Sequence, residues 1–165
     1  MKDVNLRHIK SLSKDEKYES VISVAKQFLG DEENVIANLS NIASLLKHSF
    51  DYFSWAGFYL AEDATGQLVL GPFQGKVACT RIGQGKGVCG AAVGGKKTVI
   101  VDDVNSFPGH IACDSESKSE IVVPIIAGGK IFGVLDVDST EYASFDEKDG
   151  YYLEKLVSEI SNSLK

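Results

Sequence analysis

The chain has 165 residues, of which 44% are hydrophobic and 24% charged, a length and composition typical of one globular domain. Its formal net charge of −6 argues against nucleic acid or an anionic membrane as a partner, because phosphate binding needs clustered Lys and Arg. No apolar run approaches the ~18 residues of a membrane span and no apolar leader begins the chain, so we expect a cytoplasmic protein.

Two amphipathic helices are predicted first. Ser13 and Glu16 form a capping box, and apolar residues follow at helical spacing until Gly30. Asp31 is a candidate N-cap for a second helix, which runs to about Phe50.

The middle of the chain has the composition of β-strands. Residues 52–60 and 68–70 flank a turn and predict a hairpin, and a further strand is expected at about residues 76–82. A glycine-rich loop then leads to a short helix at about residues 88–93, followed by a strand at residues 98–101.

The last third of the chain begins with a long loop, at residues 102–119, and loops of this length in compact domains tend to be functional. Residues 120–138 read as two apolar strands around a Gly-Gly turn. A second capping box, from Ser144 to Glu147, opens a final helix.

Consecutive hairpins with helices before and after them predict an α+β fold built on an antiparallel sheet. No internal repeat or linker divides the chain, so we predict one domain over residues 1–165. Residues 1–12 are expected to be a flexible or loosely packed extension.

The three cysteines, Cys79, Cys89 and Cys113, indicate thiol chemistry. An odd number in a reducing compartment predicts a transient disulfide rather than a permanent one. Cys113 is the predicted nucleophile, because it lies in the long loop with His110 three residues before it, and a nearby cation lowers the pKa of a thiol. Cys79 and Cys89 could each act as the resolving thiol. His110 and Cys113 could alternatively offer two ligands to zinc.

Three acids follow the cysteines. Asp136 and Asp138 are two residues apart in a predicted strand, so they share one face of the sheet and could bind a ligand ammonium group. With a strict two-residue turn, Glu120 would face Val137 and point to the opposite face. Proline in a strand favours a bulge, so we predict an irregularity between Glu120 and Pro124 that turns Glu120 toward the other two acids.

Six short segments carry a recognisable pattern. They are WAGFYL at residues 55–60, LGPFQG at 70–75, GVCG at 87–90, GHIACD at 109–114, SEIV at 119–122 and GVLDVDS at 133–139. Together they resemble the free methionine-R-sulfoxide reductases, which are single-domain GAF proteins. The resemblance runs from about Tyr18 to the C-terminus. It implies a six-stranded antiparallel sheet with N-terminal and C-terminal helices packed against it, and a homodimer.

The resemblance also implies an activity, the reduction of free L-methionine (R)-S-oxide to L-methionine. Cys113 attacks the sulfoxide sulfur and is left as a sulfenic acid, Cys79 then forms a disulfide with it, and thioredoxin reduces that disulfide. Cys89 is implied as an auxiliary or alternative partner. No metal or organic cofactor is implied.

The same resemblance assigns substrate-binding residues. Glu120, Asp136 and Asp138 match the acids of the family, and free methionine has an ammonium group that peptide-bound methionine lacks. Trp55 and Tyr59 are expected to form the apolar wall near the methyl group and the thioether.

Two other functions are open at this stage. A GAF-type sensor would bind a small ligand without catalysis. A zinc-containing interaction domain would need at least three ligands to converge.

Overall fold

The computed structural model describes residues 4–164. Within them, six strands form one antiparallel sheet: β1 (Trp55–Glu62), β2 (Gln67–Gln74), β3 (Arg81–Ile82), β4 (Val99–Val101), β5 (Ser119–Ala127) and β6 (Lys130–Ser139). Their order across the sheet is β3-β2-β1-β6-β5-β4. The helices are α1 (Leu6–Ser11), α2 (Lys14–Asp31), α3 (Val35–Ser49), α4 (Gly87–Gly95) and α5 (Glu147–Ser163), and a 3-10 turn covers Val104–Ser106. The predicted α+β fold with a six-stranded antiparallel sheet is confirmed.

The two faces of the sheet are covered by different elements. α3 packs on β1 and β2, α5 packs on β5, and α2 lies across both helices, so this face carries the larger hydrophobic core. α4 covers β5 and β6 on the opposite face, together with the loops that carry the cysteines. Because side chains alternate along a strand, Phe58 and Leu135 point into the large core whereas Tyr59 and Val134 point toward α4.

The N-terminal residues are better packed than we expected. Residues 6–11, part of the predicted loose extension, form α1, and Ile9 is buried in the large core. Residues 1–3 of that extension lie outside the described residues. None of the helices between residues 4 and 164 is long and apolar enough to cross a membrane.

Two predicted caps were placed a few residues too early. α2 continues through Gly30 to Asp31, and the N-cap of α3 is Asn34, whose side chain accepts from the backbone N–H of Ala37. α5 is capped by Asp146 rather than by Ser144. In both cases a second residue whose side chain can cap a helix lies two or three positions further along the chain, and this second residue is the N-cap in the structure.

The predicted strand at residues 76–82 is also wrong over most of its length. Only Arg81 and Ile82 pair with β2, and Cys79 lies in an irregular segment between β2 and β3. The short helix carrying Cys89 and the hairpin of β5 and β6 are confirmed.

Candidate active site

Glu120, Asp136 and Asp138 share the face of the sheet that α4 covers. Glu120 pairs directly with Asp138 and Val122 with Asp136, and directly opposed residues of an antiparallel pair point to the same face. The acids therefore meet, as predicted, but the predicted position of the irregularity is wrong. The ladder is regular from Ser119 to Ile125 and shifts between Ile125 and Ile126, where β6 has one additional residue. This bulge, close to the turn, changes the register of the whole hairpin.

Burial of these carboxyl groups makes their ionised forms unfavourable. Burial, followed by the charges of Asp136 and Asp138, raises the pKa of Glu120 well above its usual range. Burial likewise raises the pKa of Asp136 to about 7, although the Cys89 thiol opposes the shift by donating a hydrogen bond to the carboxylate. The pKa of Asp138 is raised by burial and by the charge of Asp136. A cation entering this space would favour the ionised forms.

Cys89 lies directly above these acids. Its residue is 2% exposed, and its thiol donates to Asp136 Oδ2 over 3.7 Å. The other oxygen of that carboxylate, Oδ1, is buried and has no hydrogen-bond partner among residues 4–164. Burial, followed by the charges of Asp136 and Glu120, raises the pKa of the Cys89 thiol well above its usual range.

Cys79 and Cys113 form a disulfide. Their α-carbons are 5.3 Å apart, within the usual range for such a bond, and 34 positions separate them in the chain. Cys113 lies in the loop after the 3-10 turn, so the bond joins this loop to the irregular segment after β2. Burial lowers the pKa of His110, which disfavours the cationic ring that we expected beside Cys113.

Trp55 and Tyr59 form an aromatic wall on the same face of β1. Their rings stack with centroids 6.0 Å apart. Trp55 Nε1 donates to the carbonyl of Lys76 over 3.0 Å, and the Tyr59 hydroxyl donates to the carbonyl of Cys79 over 2.9 Å. The two aromatic residues therefore also hold the segment that carries Cys79, which the sequence did not indicate.

Seven of the eight predicted site residues line one cavity on this face of the sheet. They are Trp55, Tyr59, Cys89, Cys113, Glu120, Asp136 and Asp138. The eighth, Cys79, is bonded to Cys113. The structure thus brings together residues that are up to 83 positions apart in the chain (138 − 55 = 83).

Lys86 was missed from the sequence. It lines the cavity at the N-cap of α4, where no side chain satisfies the N–H groups of the first helical turn. Among the described residues it is the one lysine or arginine that reaches this cavity, so it offers a positive group to an anionic part of a ligand. The feature of the sequence that could have indicated this role is a lysine between two glycines, Gly85 and Gly87, at the start of a short helix.

His110 and Cys113, the two alternative zinc ligands considered from the sequence, do not form a site here, because the Cys113 sulfur is in the disulfide. Another group could hold a metal ion: the ligand atoms of Cys89, Glu120 and Asp136 lie within 4.8 Å of one another. Two of these groups, the Cys89 thiol and the Asp136 carboxylate, are joined by the hydrogen bond described above.

Comparisons with known proteins agree with this architecture. A family model described as GAF domain matches residues 35–165. The chain is 53% identical to GAF domain-containing protein A of Dictyostelium discoideum over 150 residues, 91% of this chain and 94% of that protein. It is 46% identical to the free methionine-R-sulfoxide reductase of Saccharomyces cerevisiae over 165 residues, 96% of this chain and 92% of the yeast protein.

A solved structure gives the same result. The X-ray structure of free methionine-R-sulfoxide reductase from Neisseria meningitidis in complex with its substrate has a TM-score of 0.90 and 45% sequence identity. The match covers 93% of this chain and 91% of that one. The chain therefore belongs to the GAF domain family and, within it, to the free methionine-R-sulfoxide reductases, which are oxidoreductases.

Proposed function

We propose that this protein reduces free methionine-(R)-sulfoxide to methionine, with Cys113 as the nucleophile and Cys79 as the resolving thiol. The observation that carries the proposal is the disulfide between these two cysteines at a cavity that also contains Glu120, Asp136 and Asp138. Relatives that are named after this activity support the substrate and its R configuration.

The acids explain why the substrate should be a free amino acid. Burial raises the pKa of all three carboxyl groups, and no cation among the described residues offsets this shift, so a positive ligand group placed against them would favour their ionised forms and be bound by them. The ammonium group of free methionine sulfoxide is such a group, and in a peptide it is replaced by an amide. The carboxylate of the same ligand can pair with Lys86 and the first turn of α4.

The proposed reaction uses Cys113 and Glu120, which line this cavity, and then Cys79, which is bonded to Cys113. The Cys113 thiolate attacks the sulfoxide sulfur and forms a sulfur–sulfur bond. The oxygen then moves from the substrate sulfur to Cys113, the sulfur–sulfur bond breaks, and methionine leaves while Cys113 remains as a sulfenic acid. The oxygen requires a proton in this step, and the raised pKa of Glu120 keeps one available at neutral pH. Cys79 then displaces the sulfenic oxygen as water and forms the disulfide.

Recycling requires an external dithiol, and we propose thioredoxin in the cytoplasm. Cys79 and Cys113 are both half-buried, so a partner can reach the bond without unfolding the domain. The proposed chemistry uses no metal or organic cofactor. By analogy with the family, we propose that the protein is a homodimer.

A sensor function explains the fold and the cavity but not the disulfide at its edge. A zinc-containing interaction domain could use the converging ligand atoms of Cys89, Glu120 and Asp136, but it gives no use to the disulfide between Cys79 and Cys113. The reductase is therefore the one function that uses both the acids and the paired cysteines.

The test is a single-turnover assay without reductant. The wild-type protein should consume free methionine-(R)-sulfoxide and lose two thiols for each methionine formed. Cys113→Ser should be inactive because the attacking sulfur is missing, whereas Cys79→Ser should give about one turnover and then stall at the sulfenic acid. Methionine release and thiol titration measure the two quantities.

The matched control substrate is N-acetylmethionine sulfoxide, which lacks the ammonium group. Its kcat/KM should be lower by about 100-fold or more, since it leaves buried carboxylates unpaired. Equal rates with both substrates would contradict the proposed role of the acids. Normal cycling of Cys79→Ser with thioredoxin would contradict the assignment of the resolving thiol.

A further inference from the structure

Cys89 is the cysteine that the proposed reaction leaves without a role. It lies on α4 and is buried at 2% exposure, and it is the free cysteine when Cys79 and Cys113 are joined. The disulfide partner of Cys113 in this structure is Cys79, so Cys89 does not occupy the position of the resolving thiol. The contact that it makes is with Asp136, on the strand beneath it.

The surroundings of Cys89 keep its sulfur protonated. A thiolate would lie among the carboxyl groups of Glu120, Asp136 and Asp138, with no cation beside it. Burial and these like charges raise the pKa of the thiol, which makes it a poor nucleophile and a persistent S–H donor. A buried S–H group that donates a hydrogen bond to a carboxylate can orient that carboxylate.

Asp136 is the group that it orients. The Cys89 thiol donates to Oδ2 over 3.7 Å, while Oδ1 is buried and has no hydrogen-bond partner within residues 4–164. A buried carboxylate oxygen without a donor is costly, and such an atom in a cavity that binds a ligand is usually satisfied by that ligand. An ammonium group has three N–H donors and a positive charge, so it can donate a hydrogen bond to this oxygen and also compensate the charge of the carboxylate.

We propose that Cys89 is a positioning residue for substrate recognition, whose S–H holds the Asp136 carboxylate through Oδ2 and leaves Oδ1 free to accept from the substrate ammonium group. This inference rests on the proposed function, because the ammonium group belongs to the proposed substrate. It separates the roles of the three cysteines: Cys113 and Cys79 undergo the redox chemistry, and Cys89 contributes only a hydrogen-bond donor.

The first experiment compares two substitutions of Cys89 by steady-state kinetics. Cys89→Ala removes the donor, so Asp136 loses the hydrogen bond that favours its charged form, and KM for free methionine sulfoxide should rise about three- to tenfold with kcat retained. Cys89→Ser restores a donor of similar size, so its KM should stay within about twofold of the wild-type value. A role in packing alone would not distinguish the two variants in this way.

The second experiment does not depend on activity. In the disulfide-bonded protein Cys89 carries the one remaining thiol of the chain's three cysteines, so a single S–H stretching band should appear in the infrared spectrum. Cys89→Ala should remove the band and thereby identify it. The band should lie below the frequency of a free thiol because of the hydrogen bond, and Asp136→Ala should move it back.

Three results would overturn the inference. They are an S–H band at the frequency of a free thiol, the same KM in Cys89→Ala as in the wild type, and a stall after one turnover in both Cys89 variants, which would make Cys89 a redox thiol. A wild-type protein that does not reduce free methionine sulfoxide would contradict the proposed function, and the infrared result would still report on Cys89 and Asp136.

Discussion

At neutral pH the Asp136 carboxyl group is near the midpoint of its titration, because burial raises its pKa to about 7. It is surrounded by Cys89 from α4, Glu120 from β5, and Asp138 and Tyr59 on the neighbouring strand positions, none of which is a cation. The charge of this single group therefore depends on pH in the physiological range, and a positive ligand binds better when the group is ionised.

From this we predict the pH dependence of substrate binding. As pH falls through about 7, Asp136 takes up a proton and the affinity for free methionine sulfoxide decreases; as pH rises above about 7, the affinity increases and levels off. Isothermal titration calorimetry on Cys113→Ser, which cannot turn the substrate over, measures Kd at a series of pH values.

The control adds Asp136→Asn to the same background. The amide does not titrate, so Kd should be weaker at high pH and nearly independent of pH around 7. If the pH dependence persisted in this variant, the titrating group would be Glu120 or Asp138 instead.

At the scale of elements, the irregular segment between β2 and β3 is held by β1. Trp55 and Tyr59 donate to the carbonyl groups of Lys76 and Cys79, so two side chains of one strand fix the backbone that presents the resolving thiol. Gly57, between the two aromatic residues, makes room for the Trp55 ring and for Phe73 of β2, since a Cβ there would lie 2.6 Å from the Trp55 ring and 2.9 Å from the Phe73 Cα. The aromatic wall thus links substrate contact to the placement of Cys79.

We predict that Tyr59→Phe loosens this segment. Loss of the hydroxyl removes one hydrogen bond to the backbone, worth about 1 kcal/mol, while the ring is kept. Amide hydrogen exchange in residues 75–80 should be faster, and disulfide formation should be slower relative to methionine release in a rapid-quench experiment.

Tyr151→Phe is the matched control, because Tyr151 is 61% exposed on α5, on the other side of the sheet. It should change neither quantity. Unchanged exchange in Tyr59→Phe would mean that the hydrogen bond to Cys79 does not restrain the segment.

At the scale of the whole molecule, one buried carboxylate connects α2, α5 and the segment that precedes β1. Asp149 of α5 is fully buried and accepts from Lys14 Nζ at 2.7 Å, the Tyr18 hydroxyl at 2.7 Å and the Tyr52 hydroxyl at 2.6 Å. It also accepts from the backbone N–H of Asp146, which completes the capping box of α5. This cluster lies in the large core, on the face of the sheet opposite the site.

We predict that Asp149→Ala destabilises the fold by about 3–5 kcal/mol, because it removes the acceptor of the buried Tyr18 hydroxyl, of the partly buried Tyr52 hydroxyl and of the half-buried Lys14 ammonium group. Denaturant unfolding measures the free energy of unfolding. The matched control is Asp51→Ala, which breaks the ion pair with Lys10 but removes a carboxylate that is 81% exposed, so it should cost about 0–1 kcal/mol. Equal costs for the two substitutions would contradict a central role for Asp149.

Local patterns were enough to predict most elements of the fold. The helical spacing after Ser13 and the Gly-Gly turn of the last hairpin predicted α2 and the pair of β5 and β6, since both signals act between near neighbours in the chain. The caps at Asn34 and Asp146 were missed because several nearby residues have the same capping chemistry. The irregular path at Cys79 was missed because its aromatic partners lie 20 or more residues earlier.

The sequence by itself determined the chemistry available to this protein: three thiols, three acids that follow them in the chain, and motifs that identify the family. Only the tertiary structure decided how these groups are used. A bulge near the hairpin turn put Glu120 on the same face of the sheet as Asp138. The fold also brought Cys113 to Cys79, 34 positions earlier in the chain, so the disulfide forms with Cys79 rather than with Cys89. Burial then set the charge states, raising the pKa of Asp136 to about 7 and keeping Cys89 a thiol. Register and burial depend on contacts between distant segments, which local sequence patterns do not encode.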